Sequence, residues 1–230
     1  MNLSQEQREI LDLPLGSKTF LEGPAGAGKT TAAAARLQSL LNSGIPGDTI
    51  LVLLPQRTLS NIYQKAIMNS STPPGGIVSI ITAGGIARRM VELFWPLVSR
   101  DAGFSNPDDP PTFLTLETAQ YFMAKLVNPL LDQGYFESVV IDRNRLFSQI
   151  IDNLNKAAVI GFHVAEIGDR LKAAWSGGPS QLRVFDDTQT CASLFRQTCL
   201  ENNLLDFSLQ VEIFWKYVWR LDICRNYLNQ

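Results

Sequence analysis

The chain has 230 residues, 45% of them hydrophobic and 18% charged, and a formal net charge of −2. This composition belongs to an ordinary globular protein and excludes a disordered one; the near-zero charge gives no support to whole-surface nucleic-acid binding. No apolar run approaches the roughly 18 residues of a membrane span.

The N-terminal stretch MNLSQEQREI is polar and has no signal-peptide core. Ser4 to Leu11 reads as a helix, with Ser4 as N-cap and Gln7 three residues later in a capping-box spacing. Lys18-Thr19-Phe20-Leu21-Glu22 is strand-like. It runs into Gly23-Pro24-Ala25-Gly26-Ala27-Gly28-Lys29-Thr30, which satisfies G-x-x-x-x-G-K-[ST], the pattern of a phosphate-binding loop. The alanine-rich stretch from Thr31 to Leu41 is a strong helix former, and Asn42-Ser43-Gly44 ends it. Ile50 to Leu54 is a continuous apolar run bounded by Asp48 and Pro55, as in a buried parallel strand. Arg57 to Asn69 reads as a helix, Ser70 to Gly76 as a loop, Ile77 to Ile81 as a strand and Ala83 to Leu93 as a helix. This alternation predicts an α/β unit with a parallel sheet.

The pattern changes after the proline-rich segment Asn106 to Pro111. Leu116 to Leu131, Arg143 to Asn155 and Val164 to Trp175 carry apolar residues at helical spacing. Ser176 to Ser180 is a linker, and Thr188 to Glu201 and Phe207 to Tyr227 are the last predicted helices. Cys191, Cys199 and Cys224 form no C-x-x-C pair, which fits a reduced, cytoplasmic setting. His163, the one histidine, rules out a His-rich metal site and reads as structural.

Strand, glycine loop and helix are the context the phosphate motif needs. Its glycines let backbone N–H groups crowd around phosphate oxygens where a Cβ would collide. Lys29 places an ammonium on the β- and γ-phosphates, and Thr30 offers a hydroxyl to Mg²⁺. The start of the following helix adds the positive end of its dipole. The candidate nucleotide site is therefore Gly23, Pro24, Ala25, Gly26, Ala27, Gly28, Lys29, Thr30 and the adjoining Thr31, with Lys29 as the catalytic candidate and Thr30 as the metal candidate.

Together these residues resemble the start of a superfamily 1 DNA helicase of the UvrD/Rep type. Leu3-Ser4-Gln5-Glu6-Gln7 is similar to that family's L-[NS]-x-x-Q motif, the phosphate loop follows, and Asn202-Asn203-Leu204-Leu205-Asp206-Phe207 resembles its N-x-L-D-F segment. The similarity covers about 1–95 and 200–216 by motif, and 110–200 by helical character alone. The resemblance implies a RecA-like P-loop sheet, incomplete here, over 1–105. It implies an all-α insertion over 106–201 and a helical return to the ATP-binding domain over 202–230. It further implies ATP and Mg²⁺ as ligands, Gln7 as the reader of the adenine edge, and single-stranded DNA as a partner.

Several positions depart from the family pattern. Leu54-Pro55-Gln56-Arg57-Thr58-Leu59-Ser60 stands where the family carries T-x-T-N-K-A-A-like DNA contacts, Thr31 where it often has Arg, and Ala83-Gly84-Gly85 where it tends to an aromatic–histidine pair. No apolar run ending in Asp-Glu supplies the second metal-binding and water-activating acids. The expectation is thus an N-terminal portion of a larger helicase, with the other motor domain or a partner chain missing, that binds Mg-ATP and does not unwind DNA alone.

Other readings stay open. Gln7 also suits a plain capping box, and Asp206 an ordinary N-cap. Glu137 to Asp142 would make the chain a self-contained P-loop kinase or NTPase if it were a strand ending in a magnesium-binding Asp142. A non-catalytic remnant could use its helical half to dock a partner. Arg88, Arg89, Arg143, Arg145 and Lys156 are candidates for a DNA groove or a solvated helix face. Trp175, Trp215, Tyr217 and Trp219 are candidates for base stacking or for core packing.

Overall fold

The computed structural model describes residues 3–71 and 75–228. Residues 72–74, within the expected loop at 70–76, lie outside the described residues. Among the described residues the chain is a mixture of helices with two small parallel sheets, each of two strands. It divides into two compact units, Met1–Ile86 and Ala87–Gln230. No helix of the described residues is long and apolar enough to cross a membrane.

The first unit opens with α1 (Gln5–Leu11), closed by the expected capping box. Gln7 N donates to Ser4 Oγ at 3.3 Å, and Ser4 N donates back to Gln7 Oε1 at 3.0 Å. Helix α2 (Lys29–Asn42) draws on four consecutive alanines, and its buried stripe is Ala32, Ala34, Leu37 and Leu41. It stops where Gly44 turns left-handed at φ 85° and the N–H of Ile45 folds back to Leu40 O at 3.1 Å. Strand β1 (Leu51–Leu54), helix α3 (Ser60–Met68) and strand β2 (Ser79–Thr82) form a β–α–β crossover. Leu51 pairs with Ser79 and Leu54 with Thr82 in parallel register. One face of the pair is covered: Ile50, Val52, Tyr63, Ile67 and Ile80 pack on Leu37, Leu41 and Val78. On the opposite face Leu51 and Leu53 are half exposed, at 48% and 56%.

The expected strand at 18–22 is absent. Residues 18–24 are irregular and exposed, and Phe20 is 89% exposed. A strand is held by ladder bonds to a neighbour, and among the described residues this segment pairs with none. Among the described residues the sheet of the first unit consists of β1 and β2.

The division between the units falls within α4 (Ala83–Val98), whereas the composition shift in the sequence lies at about 105. The second unit continues with β3 (Thr112–Phe113), α5 (Leu116–Leu131), α6 (Arg143–Ile160), α7 (Ile167–Ala174), α8 (Leu182–Glu201), β4 (Leu204–Leu205), α9 (Phe207–Lys216) and α10 (Asp222–Leu228). Its core is formed by side chains such as Met123, Ile150, Leu154, Phe195, Leu205 and Ile213, each below 2% exposed. Helix α6 packs on α5 and α9, and α7 on α8.

The two-residue strand β3 had no signal in the sequence, because its partner is far away in the chain. Thr112 pairs with Leu204 and Phe113 with Leu205, in parallel. Asn203, at φ 51°, anchors the junction: its Nδ2 donates to Asn106 O at 2.6 Å and Asp109 O at 3.1 Å. Asp206 then caps α9, accepting from Ser208 N, Ser208 Oγ and Leu209 N at 3.2, 2.6 and 3.1 Å.

The single helix expected over 207–227 is broken. Tyr217 leaves the helical region at φ −120°, and the turn at Val218–Arg220 folds Trp219 back onto Phe214 and Trp215, with ring centroids 5.9 and 6.0 Å apart.

Candidate nucleotide-binding site

The phosphate loop is a compact turn ahead of α2. Ala27 N donates to Pro24 O at 3.2 Å, and Gly26 and Gly28 take left-handed φ values of 81° and 79°. That conformation is cheap for glycine and costly for residues with a Cβ. A Cβ at Gly28 would also collide with Gln7 Nε2. Gly28 is the N-cap of α2 and offers no side chain, so no side chain closes this helix end. The leading N–H groups of α2 consequently point outward with no acceptor from their own helix. Such an end, with its positive dipole and a glycine turn in front, is a ready anion site.

Lys29 folds back over the loop. Its ammonium donates to Gly23 O at 2.6 Å and Pro24 O at 2.8 Å, which holds the charge at the mouth of the turn. Thr30 is exposed on the first turn of α2, and Thr31 is half-buried beside it. Gly23, Pro24, Ala25, Gly26 and Ala27 are all exposed. The sequence-predicted loop residues are thus brought together in one accessible cradle.

Gln7 belongs to this cradle. Its Nε2 donates to Ala27 O at 3.1 Å while its Oε1 accepts Ser4 N. A glutamine amide has two N–H donors and two acceptor lone pairs. One of each is used here, and one of each remains, which is the pair an adenine edge requires. The capping-box role and the adenine-reading role are therefore compatible on one side chain.

The fit to a magnesium-bound phosphate is partial. The glycine turn, the uncapped helix end, Lys29 and the Thr30 hydroxyl suit phosphate and one metal position, but no cluster of three or more His, Cys, Asp or Glu able to hold a metal is present among the described residues.

Asp142 does not end a strand. Residues 137–141 are turn and irregular backbone, Val140 is fully exposed, and the Asp142 carboxylate caps α6 by accepting Asn144 N at 2.9 Å and Arg145 N at 3.2 Å. Capping outcompetes strand formation here because, among the described residues, the segment pairs with no strand, and a helix N-terminus follows at once.

Most of the candidate DNA-groove cations have partners within the second unit. The Arg88 guanidinium stands 4.5 Å from the Phe113 ring centroid, and Arg89 donates to Tyr227 Oη at 3.4 Å. Arg143 donates to Asn128 Oδ1 at 3.0 Å, and Lys156 pairs with Asp152 at 2.6 Å. Trp175 is tied down by an edge contact to Phe185 and a 3.2 Å hydrogen bond to Gly178 O. Trp215 and Trp219 remain 54% and 40% exposed. His163 caps the turn at Val164–Glu166, its Nδ1 accepting Ala165 N at 3.1 Å, which is a structural role.

Arg36 escaped the sequence reading. Its guanidinium donates to Leu11 O and Leu13 O, just behind α1. The one hint in the sequence is that Arg36 is the lone charge between Lys29 and Asp48, set in an alanine- and leucine-rich helix.

A concavity of about 620 Å³ lies between α1, α2 and α3 and includes no residue of the phosphate loop. Neither the protein-family models nor the curated proteins contain a match to this chain.

Proposed function

We propose that the chain is the ATP-binding N-terminal portion of a UvrD-like, ATP-dependent DNA helicase. The observation that carries this reading is the cradle itself: a glycine turn with two left-handed residues, an uncapped helix end behind it, the Lys29 ammonium across its mouth and the Gln7 amide at its side. In this reading the Gly23–Thr31 segment and Lys29 hold the phosphates of ATP, the Thr30 hydroxyl takes one position on Mg²⁺, and the free half of the Gln7 amide meets adenine. The first unit is then part of a RecA-like domain, and the helical second unit contains the insertion. Hydrolysis needs a metal held by further acids, an oriented water and charge stabilisation; in a cytoplasmic helicase of this type the acids come from an Asp-Glu motif of the ATP-binding domain, while charge stabilisation and single-stranded DNA translocation involve a second motor domain. The isolated chain binds Mg-ATP without unwinding DNA.

The test is a titration with a fluorescent ATP analogue and Mg²⁺, with unlabelled ATP and GTP as competitors. Saturable binding that Lys29→Ala weakens at least ten-fold, on the order of one lost charge-assisted contact or more, supports the reading. Binding that survives Lys29→Ala unchanged, or robust DNA-dependent turnover by the isolated chain, refutes it.

A further inference from the structure

Helix α1 is weakly packed. Of α1, α2 and α3 it alone has no buried residue. Open space flanks it: the groove of about 620 Å³ touches Leu3 and Leu11, and a second concavity of about 270 Å³ is bounded by Ile10, Leu13, Arg36 and Leu40. Apolar burial therefore contributes little to its position, and hydrogen bonds fix it at both ends. On its first turn Gln7 reaches Ala27 O of the phosphate loop, and Gln7 Oε1 is retained by Ser4 N, so the amide cannot swing off the loop without opening the helix cap. At its last turn the Arg36 guanidinium donates to Leu11 O and Leu13 O. Leu11 O is one of the carbonyls a helix end leaves without an intrahelical partner, Leu13 O lies two residues beyond the helix, and the rigid fork of a guanidinium serves both at once. Both fastenings lead to the same short stretch of chain: Ala27 lies in the loop, and Arg36 lies on the helix that the loop begins.

We propose that α1 is a brace that presets the phosphate loop, and that Arg36, outside the phosphate motif, is a positioning residue for nucleotide binding. The proposal rests on the phosphate-site reading above. A glycine-rich loop loses much conformational freedom when it closes on a ligand, and a brace that restricts it beforehand lowers that cost. The effect acts on the phosphate cradle, so it is blind to the base. ATP, GTP and inorganic tripolyphosphate benefit alike, in contrast to an adenine contact, which favours ATP.

The whole 230-residue chain and its Arg36→Met and Arg36→Lys variants are titrated with the magnesium complexes of ATP, GTP and tripolyphosphate. Amide hydrogen exchange is followed at residues 5–12 and, as a control on the fold, at Leu37 and Leu41. Methionine keeps an apolar stem and removes both donor groups. The expected result is a rise in Kd for all three ligands by one common factor, on the order of five-fold. Exchange protection falls over 5–12 and holds at Leu37 and Leu41. Arg36→Lys, whose ammonium can reach one carbonyl, falls between. The inference is overturned if Arg36→Met binds all three ligands as the unaltered chain does, if it loses ATP alone, or if residues 5–12 keep their protection. If the unaltered chain binds none of the ligands, the phosphate-site reading falls and the brace with it; that result is seen before any variant is made.

Discussion

Gly26 and Gly28 offer a matched pair for testing how α1 engages the loop. Their φ values are nearly equal, 81° and 79°, so alanine at either position pays the same left-handed penalty of about 1–2 kcal/mol. Their surroundings differ. A Cβ at Gly26 meets nothing within 4 Å, while one at Gly28 meets Gln7 Nε2. Gly28→Ala must therefore also displace the Gln7 amide and break its bond to Ala27 O, adding about 0.5–1.5 kcal/mol. The excess of Gly28→Ala over Gly26→Ala is then about 1 kcal/mol, roughly a five-fold larger opening equilibrium. Native-state hydrogen exchange over residues 5–12, which the Gln7 bond ties to the loop, reads this opening without nucleotide. In a Gln7→Ala background the amide is gone and the excess should vanish, which is the signature of a direct coupling in a double-mutant cycle. Equal costs at the two glycines, or an excess that persists after Gln7→Ala, would refute the reasoning.

In the second unit, Asp206→Ala removes a 2% exposed cap that accepts from Ser208 and Leu209. Urea unfolding should show a loss of about 2–3 kcal/mol, with part recovered by Asp206→Asn, whose amide oxygen still accepts; an effect below about 0.5 kcal/mol would contradict the assignment. Glu212 supplies a pH dependence. Burial acts to raise its pKa, but Arg196 at 2.9 Å and Lys216 at 2.6 Å outweigh it and hold the carboxyl below its ordinary value of 4.5. Because the folded pKa is the lower one, the stabilisation is complete above the unfolded carboxylate value and is lost as pH falls through the folded value. Acid titration of stability should therefore be less steep below pH 4.5 in Glu212→Gln than in the parent chain, and identical slopes would exclude the pair as a source of acid sensitivity.

What the sequence discloses here is what local chemistry decides. The glycine turn ahead of α2 is legible because its glycines, Lys29 and the helix that follows are contiguous. The capping box at Ser4 and Gln7 is legible for the same reason, as are the helix over Leu116–Leu131 and the parallel strands near 50–54 and 77–81. One expectation and one open alternative fail for the opposite cause. Lys18–Glu22 has strand-like composition, yet β-propensity describes a residue's fit to a sheet surface, and the segment has no described neighbour to make that surface. Glu137–Asp142 reads as an apolar run ending in an acid, but Asp142 finds the start of α6 one residue later and caps it. Asp206, open in the sequence between a family junction and an N-cap, caps the helix that follows it.

Tertiary hydrogen bonds leave no periodic trace, and the brace shows why this matters for the site. Gln7 and Ala27 are 20 residues apart, and Arg36 and Leu11 are 25 apart. Neither acceptor is a side chain, so no residue type at position 27 or 11 advertises the contact. The same holds for Asn203, whose amide reaches the carbonyls of Asn106 and Asp109 across more than 90 residues. A motif read alone thus suggests a ligand for the glycine loop while leaving unassigned the groups that hold the loop in shape. In this chain those groups are a glutamine that already has a second use and an arginine seated in the helix behind the loop. Substitution at Arg36, which lies outside the motif, is accordingly the change most able to separate preorganisation of the cradle from contact with the nucleotide.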